Sequence, residues 1–290
     1  MELSAELRSR LLAFQQLELT EYEIYRRLAR KLPAGENRQI LEAIAADERR
    51  HAEAWQAITG QEVGPKRLWV WFYTTVARLA GLTFGLKLME RGEEKAQRGY
   101  TALLEQVPGI EAWVQEEEEH EHKLLAMLDE ERLSYVGSVV LGLNDALVEL
   151  TGALAGFTLA LQNTKLIALS GLITGVAAAL SMAASEYLST RTEATGKHPV
   201  RAAIYTGVAY IFTVAVLIAP FLSFPSYFLD LALALGFAVV IIAVFNFYVA
   251  VAMDEPFGRR FWEMAILSFS VAGFSFFTGF AARRLLGVAI

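Results

Sequence analysis

Polar and apolar positions follow two regimes along the chain. Up to about residue 133, apolar residues recur at helical spacing among many charges, and four helices are predicted. The first spans Ser4 to Lys31 and is stopped by Leu32-Pro33-Ala34-Gly35; the second spans Glu36 to Thr59 and ends at Gly60. The third runs from Pro65 to about Gln106, and the fourth from Pro108 to Leu133. Proline near a helix start and glycine just past an end are the expected punctuation. Beyond residue 133 the chain changes to long uncharged runs: Leu166 to Ser185, Ala202 to Leu229, Leu231 to Met253 and Met264 to Ala282. Each matches the roughly 20 residues needed to cross a bilayer core. A fifth run, from about Tyr135 to Thr164, is Gly-rich and carries Asp145 and Glu149. The pattern predicts an all-α protein, with a four-helix bundle over 1–133 and a five-helix transmembrane bundle over 134–290.

Charge partitions the same way. Residues 1–135 hold 24 of the 32 Asp and Glu and 18 of the 26 Lys and Arg, while the remainder is balanced, with eight of each sign. Cysteine is absent, which excludes disulfides, Fe–S clusters, Cys-ligated zinc, rubredoxin-type iron and thiol catalysis. The acidic balance argues against nucleic acid as a partner. No cleavable signal peptide is expected, because the first apolar span starts far from the N-terminus. Lys123 and Arg132 precede span one, Arg191, Lys197 and Arg201 separate spans two and three, and Arg259 and Arg260 separate four and five. The opposite side has Lys165, and only Arg283 and Arg284 disagree, so the N-terminal region is expected in the cytoplasm.

Ionisable residues within a span are costly and mark a pathway by default. Asp145 lies about ten residues into span one, roughly 15 Å along the helix, and Glu149 follows one turn later on the same face. Span two carries Met182 and Glu186, also four apart, in Ser181-Met182-Ala183-Ala184-Ser185-Glu186-Tyr187. Three carboxylates and a thioether suit a divalent transition metal better than an organic anion. The plainer alternative is that Glu149 and Glu186 snorkel to headgroups or pair with Arg191, and that Met182 merely packs. Gly142, Gly152, Gly156, Gly171 and Gly175 include two small-xxx-small pairs, which imply close helix packing and no function by themselves.

The first four helices hold a repeat. Helix two carries Glu48-Arg49-Arg50-His51 and helix four Glu117-Glu118-Glu119-His120, two E-x-x-H pairs that put carboxylate and imidazole on one face. Ile44, Glu48, His51, Trp55 and Ile58 share one stripe, and Trp113, Glu117, His120, Leu124 and Met127 share another, so these ligand types point along the core-facing side. Helix one supplies Glu18 with Tyr25 seven residues on; helix three supplies Glu93 with Tyr100 seven residues on, and Glu90 one turn earlier. One carboxylate from each of two helices plus E-x-x-H from each of the others is the dinuclear iron or manganese ligand set of four-helix bundles. A single E-x-x-H in an acidic helix is common, and Glu116 to Glu121 could be a solvated run; two copies in matching helices are harder to dismiss. His122 competes with His120, but its stripe passes through Val114 and Glu118, and His198 sits in a loop beside Pro199. Leu68 to Leu86 reads as an apolar crossover between helix pairs that touches the membrane surface through Trp69, Trp71 and Tyr73.

On these residues, the two E-x-x-H pairs with the Glu of helices one and three, residues 1–133 resemble the rubrerythrin branch of the ferritin-like family. Residues 134–290 resemble the vacuolar iron transporter family, through Gly142-Leu143-Asn144-Asp145 in span one and Ser181-Met182-Ala183 with Glu186-Tyr187 in span two. The combination is similar to membrane-bound ferritins, the erythrin–transporter proteins. The resemblance implies a homodimeric metal/proton antiporter in the cytoplasmic membrane that moves Fe²⁺ or Mn²⁺ out of the cytoplasm. Its pore would lie at the dimer interface, with Asp145, Met182 and Glu186 at the translocation site. The chain departs from the family at Ala146 and Ser185, where glycine is frequent, and it lacks the long Glu-rich loop of eukaryotic relatives, with only Arg191 to Pro199 in its place.

The function expected is therefore divalent-metal export. Metal captured by Glu18, Glu48, His51, Glu90, Glu93, Glu117 and His120 passes to Asp145, Glu149, Met182 and Glu186. The cofactor or cargo is iron or manganese in a dinuclear site, without haem, and the other partners are protons and the lipid bilayer. The competing expectation is a membrane-anchored ferroxidase or peroxidase that defends against oxidative stress, though an anchor does not need Asp145 and Glu186.

Overall fold

The computed structural model describes residues 4–89, 91, 113, 115, 116, 119, 120, 123, 124, 135–193 and 196–286. The chain divides into two compact units, residues 1–130 and 131–290. Among the described residues the secondary structure is helical, with no strand.

In the first unit, α1 (Ala5–Ala29) starts where the Ser4 hydroxyl accepts from the Leu7 amide at 3.2 Å, satisfying one of the donors that a helix start leaves over. α2 (Glu36–Thr59) stops at Gly60, whose φ of 67° is a left-handed cap. The two helices pack along each other, and α3 (Arg67–Ala80) packs on α1. Their shared core includes Ile24, Tyr25, Leu41, Ile44, Val70 and Leu86. On α2 the buried stripe runs through Ile44, Glu48, His51 and Trp55. The predicted stripe would continue to Ile58, but Ile58 is exposed and Thr59 is buried instead, its hydroxyl bonded to the Gln15 side chain at 3.1 Å.

The third predicted helix is not continuous. It breaks at Gly81, where φ is 105°, and resumes as a helix over 82–89. The resumed segment lies so close to α3 that a Cβ at Gly85 would fall 2.8 Å from Ala77 Cα. Glycine serves both needs, a positive φ and no side chain at the contact. Most of the predicted fourth helix lies outside the described residues, although Trp113, Glu116, His120 and Leu124 are helical.

The second unit contains α4 (Val136–Leu161), α5 (Thr164–Thr192), α6 (Pro199–Ser223), α7 (Tyr227–Ala252) and α8 (Phe257–Leu286), all long and apolar enough to cross a bilayer. α4 is central and packs against α5, α6, α7 and α8. Its glycines explain how. Gly142 meets the backbone of Thr206 on α6, while Gly152 and Gly156 meet Val271 and Ser275 on α8. Where apolar surface cannot drive association, close backbone approach supplies the contact.

One boundary differs from the hydropathy reading. The uncharged run 202–229 is not a single span, because Phe224 is extended ahead of Pro225 and α7 begins at Tyr227. Proline clashes with a helical residue before it, which places the turn there. Asp230 consequently lies in the first turn of α7, inside a span rather than between two.

Candidate metal centre and membrane carboxylates

Glu18 on α1 and Glu48 and His51 on α2 are almost fully buried, at 1%, 2% and 1% exposure. One ligand atom from each lies within 4.8 Å of the others. His51 Nδ1 is 3.7 Å from Glu48 Oε2 and 3.9 Å from Glu18 Oε2. Atoms bound to one ion at roughly 2.1 Å sit roughly 3 to 4 Å apart, so this spacing fits a shared cation. His120 joins from the other side, with Nδ1 3.3 Å from Glu48 Oε1.

Both imidazoles are held by their far nitrogen. His51 Nε2 lies 2.7 Å from Glu116 Oε2, and His120 Nε2 lies 3.1 Å from Asp47 Oδ2. The contact of each Nε2 with an outer acid fixes the ring and leaves its Nδ1 facing the buried carboxylates. Arg50 ties the two outer acids together, at 2.7 Å to Asp47 Oδ1 and 2.6 Å to Glu116 Oε2. Trp55 Nε1 donates to Glu18 Oε1 at 3.3 Å, and the His51 ring stacks on Trp113 with centroids 5.3 Å apart.

Burial alone would raise the Glu48 carboxyl, but His120, then His51 and Glu18, gathered around it hold it at about 2. Burial likewise pushes Glu116 up, and His51 and Arg50 outweigh it, leaving that carboxyl below its ordinary value. Glu48 is thus an anion at neutral pH, and its Oε2 makes no hydrogen bond among the described residues. Hard oxygen and imidazole donors of this kind suit Fe²⁺ or Mn²⁺.

Of the ligands expected from sequence, the structure brings together Glu18, Glu48, His51 and His120. Glu90, Glu93 and Glu117 lie outside the described residues, as does the rival His122. Sequence reasoning missed Asp47, Arg50 and Glu116. Glu116 was passed over as part of an acidic run, although its place four residues before His120 puts it on the same face.

In the membrane unit, Asp145, Met182 and Glu186 are half-buried and Glu149 is exposed on the surface of the single chain. The Ser138 hydroxyl donates to Glu186 Oε1 at 2.5 Å and the Tyr210 hydroxyl to Glu149 Oε2 at 2.8 Å. Each of these glutamates is therefore held by a neutral donor on one oxygen, with the other oxygen unengaged by that donor. Thr206 donates to the Ser138 carbonyl at 2.9 Å, locking α6 to the start of α4. Neither Ser138 nor Tyr210 was singled out from sequence; a hydroxyl in a span gives no signal until its partner is known.

An acid held open on a span calls for a polar counterpart, and the stretch that contains these acids has known relatives. Residues 136–198 match the VIT family. The matched segment covers α4, α5 and the connection to α6, and so includes Asp145, Glu149, Met182 and Glu186. No curated protein and no solved structure matches the chain. The five apolar helices and this match fit an integral membrane protein.

Proposed function

We propose that the protein exports Fe²⁺ or Mn²⁺ from the cytoplasm across the cytoplasmic membrane in exchange for protons. The observation that carries this reading is the coincidence of the VIT match with the segment in which α4 and α5 place Asp145, Glu149, Met182 and Glu186. The N-terminal domain, residues 1–133, acts as a ferritin-like bundle of the rubrerythrin type that captures the metal. Glu18, Glu48, His51 and His120 would hold it, and Glu90, Glu93 and Glu117 would complete a dinuclear site. Residues 134–290 form the vacuolar iron transporter-type domain.

Charged side chains on a span surface face a water-filled path or another subunit in preference to lipid. The exposure of Glu149 supports a homodimer in which a second copy encloses these acids. Carboxylates bind either a metal or a proton, so protons moving inward can displace the ion. The cytoplasmic placement of the N-terminal domain follows the distribution of Lys and Arg in the short loops.

Proteoliposomes loaded with a metal-sensitive dye test the pathway. Asp145→Ala is expected to abolish dye response to Mn²⁺ or Fe²⁺, and transport at the wild-type rate would refute the assignment. A second reading, ferroxidase or peroxidase activity, is favoured by the buried Glu18–Glu48–His51 group, whose donors suit a redox-active metal. Oxygen or peroxide consumption by the full chain with Fe²⁺ checks it; no turnover leaves the group a binding role only.

A further inference from the structure

Asp230 has no part in the proposed metal path, yet among the described acids of the membrane unit it is the one most thoroughly removed from solvent. Its exposure is 0%, and neither carboxylate oxygen makes a hydrogen bond among the described residues. The elements packed against α7 carry few charges: Asp145 and Glu149 on α4, Arg201 on α6, and Arg259, Arg260, Glu263, Arg283 and Arg284 on α8, together with the titratable Tyr205 and Tyr210 on α6. Among the described residues no ion pair joins any of them to Asp230; Arg259 and Arg260 pair with Glu263 and Glu255, and Arg283 reaches the Leu159 carbonyl. Taking a bare carboxylate out of water is costly, and the start of a helix compensates only a small part of that cost. The group therefore carries a positive partner for much of its working life.

Its level in the unit is fixed by its neighbours in sequence. Glu186, near the end of α5, bonds Ser138 near the start of α4, and Tyr210 bonds Glu149 midway along α4. α6 runs from that first level to the far end of the unit, and α7 begins there after the three-residue break 224–226. At about 1.5 Å per residue, Asp230 stands roughly 5 Å inside that far end and roughly 13 Å beyond Glu149 along the axis. These four acids thus form an axial series, Glu186, Asp145, Glu149 and Asp230, with Asp230 at the end opposite Glu186. A divalent cation needs several oxygen donors at once, and no second donor stands on Asp230 among the described residues. A proton needs one.

We infer that Asp230 is a proton-binding station at the end of the membrane unit opposite Glu186, where protons enter in exchange for the departing metal. The step is a simple protonation: the carboxylate takes a proton from the compartment at that end and returns it toward the path as the cycle proceeds. This rests on the exchange reading above, and two measurements separate the two ideas. In proteoliposomes of the full chain, an imposed pH difference is expected to stimulate Mn²⁺ transport in wild type. Asp230→Asn should cut that stimulation at least tenfold, with Asp230→Glu restoring it; full stimulation in Asp230→Asn overturns the inference. Infrared difference spectra of the purified full chain across a pH titration supply the second readout. A protonated-carboxyl band lost in Asp230→Asn and kept in Asp145→Asn supports the station even if wild type moves no Mn²⁺. A band unchanged by Asp230→Asn overturns it whatever the transport result. Asp230→Glu, eluting as wild type in size exclusion, keeps the comparison valid should Asp230→Asn fail to fold.

Discussion

The seam between α4 and α8 sets the position of Asp145 and Glu149, and two glycines on α8 probe it. A Cβ at Gly279 would overlap the Gly156 carbonyl oxygen and lie 3.0 Å from its carbonyl carbon and 3.1 Å from its Cα. Backbone cannot rotate away, so Gly279→Ala must push the helices apart. At Gly273, on the same helix, a Cβ meets nothing within 4 Å. Replacing glycine by alanine inside a helix gains about 1 kcal/mol in either place, whereas overpacking costs about 1 to 3 kcal/mol at Gly279 alone. Propensity cancels in the comparison. Gly279→Ala should therefore be less stable than Gly273→Ala by about 1 to 3 kcal/mol. For a unit of this size that is a gap of roughly 2 to 12 °C in Tm. Thermal unfolding of both variants in one detergent, followed by circular dichroism, measures the gap. Metal transport should fall in Gly279→Ala and persist in Gly273→Ala, because only the first displaces the acid-bearing helix. Equal melting temperatures would show that α4 and α8 do not meet at Gly156 and Gly279.

Further expectations follow from the two clusters. Glu116→Gln should weaken Mn²⁺ binding about 10- to 100-fold by isothermal calorimetry, since it frees the far nitrogen of His51; Glu48→Gln should cost more, and unchanged affinity in both would remove the metal reading. Because the folded-state carboxyl of Glu48 is depressed to about 2, it contributes stability above about pH 4.5 that is lost as the pH falls toward 2. Metal-free Glu48→Gln should lose that acid-side slope in thermal unfolding, and a slope equal to wild type would contradict it. The Tyr210 hydroxyl donates to the Glu149 carboxyl between two spans, so a double-mutant cycle of Tyr210→Phe with Glu149→Gln should give a coupling of about 0.6 to 1.7 kcal/mol. Coupling near zero would mean the bond does not form in the membrane.

The length of the uncharged runs and the period of the first helices were enough to read helices, spans and the buried sides of Glu18, Glu48 and His51, because burial of a repeating face is a local property of spacing. The glycine and proline punctuation likewise marked where the first two helices stop. What spacing cannot state is the partner. That His51 faces Glu116 and His120 faces Asp47, with Arg50 between the two acids, depends on how α2 meets a segment more than sixty residues away. The sequence pattern runs a helix through Gly81 and an uncharged run through Pro225, and only packing shows the chain breaking at Gly81 and returning onto Ala77, and turning at Pro225 so that Asp230 enters a span. Hydroxyl–carboxylate pairs such as Ser138–Glu186 and Tyr210–Glu149 join helices whose order alone leaves their rotation open. Composition and period determine which faces leave water; the tertiary structure decides which charges then find one another, since that choice is made between segments rather than within them.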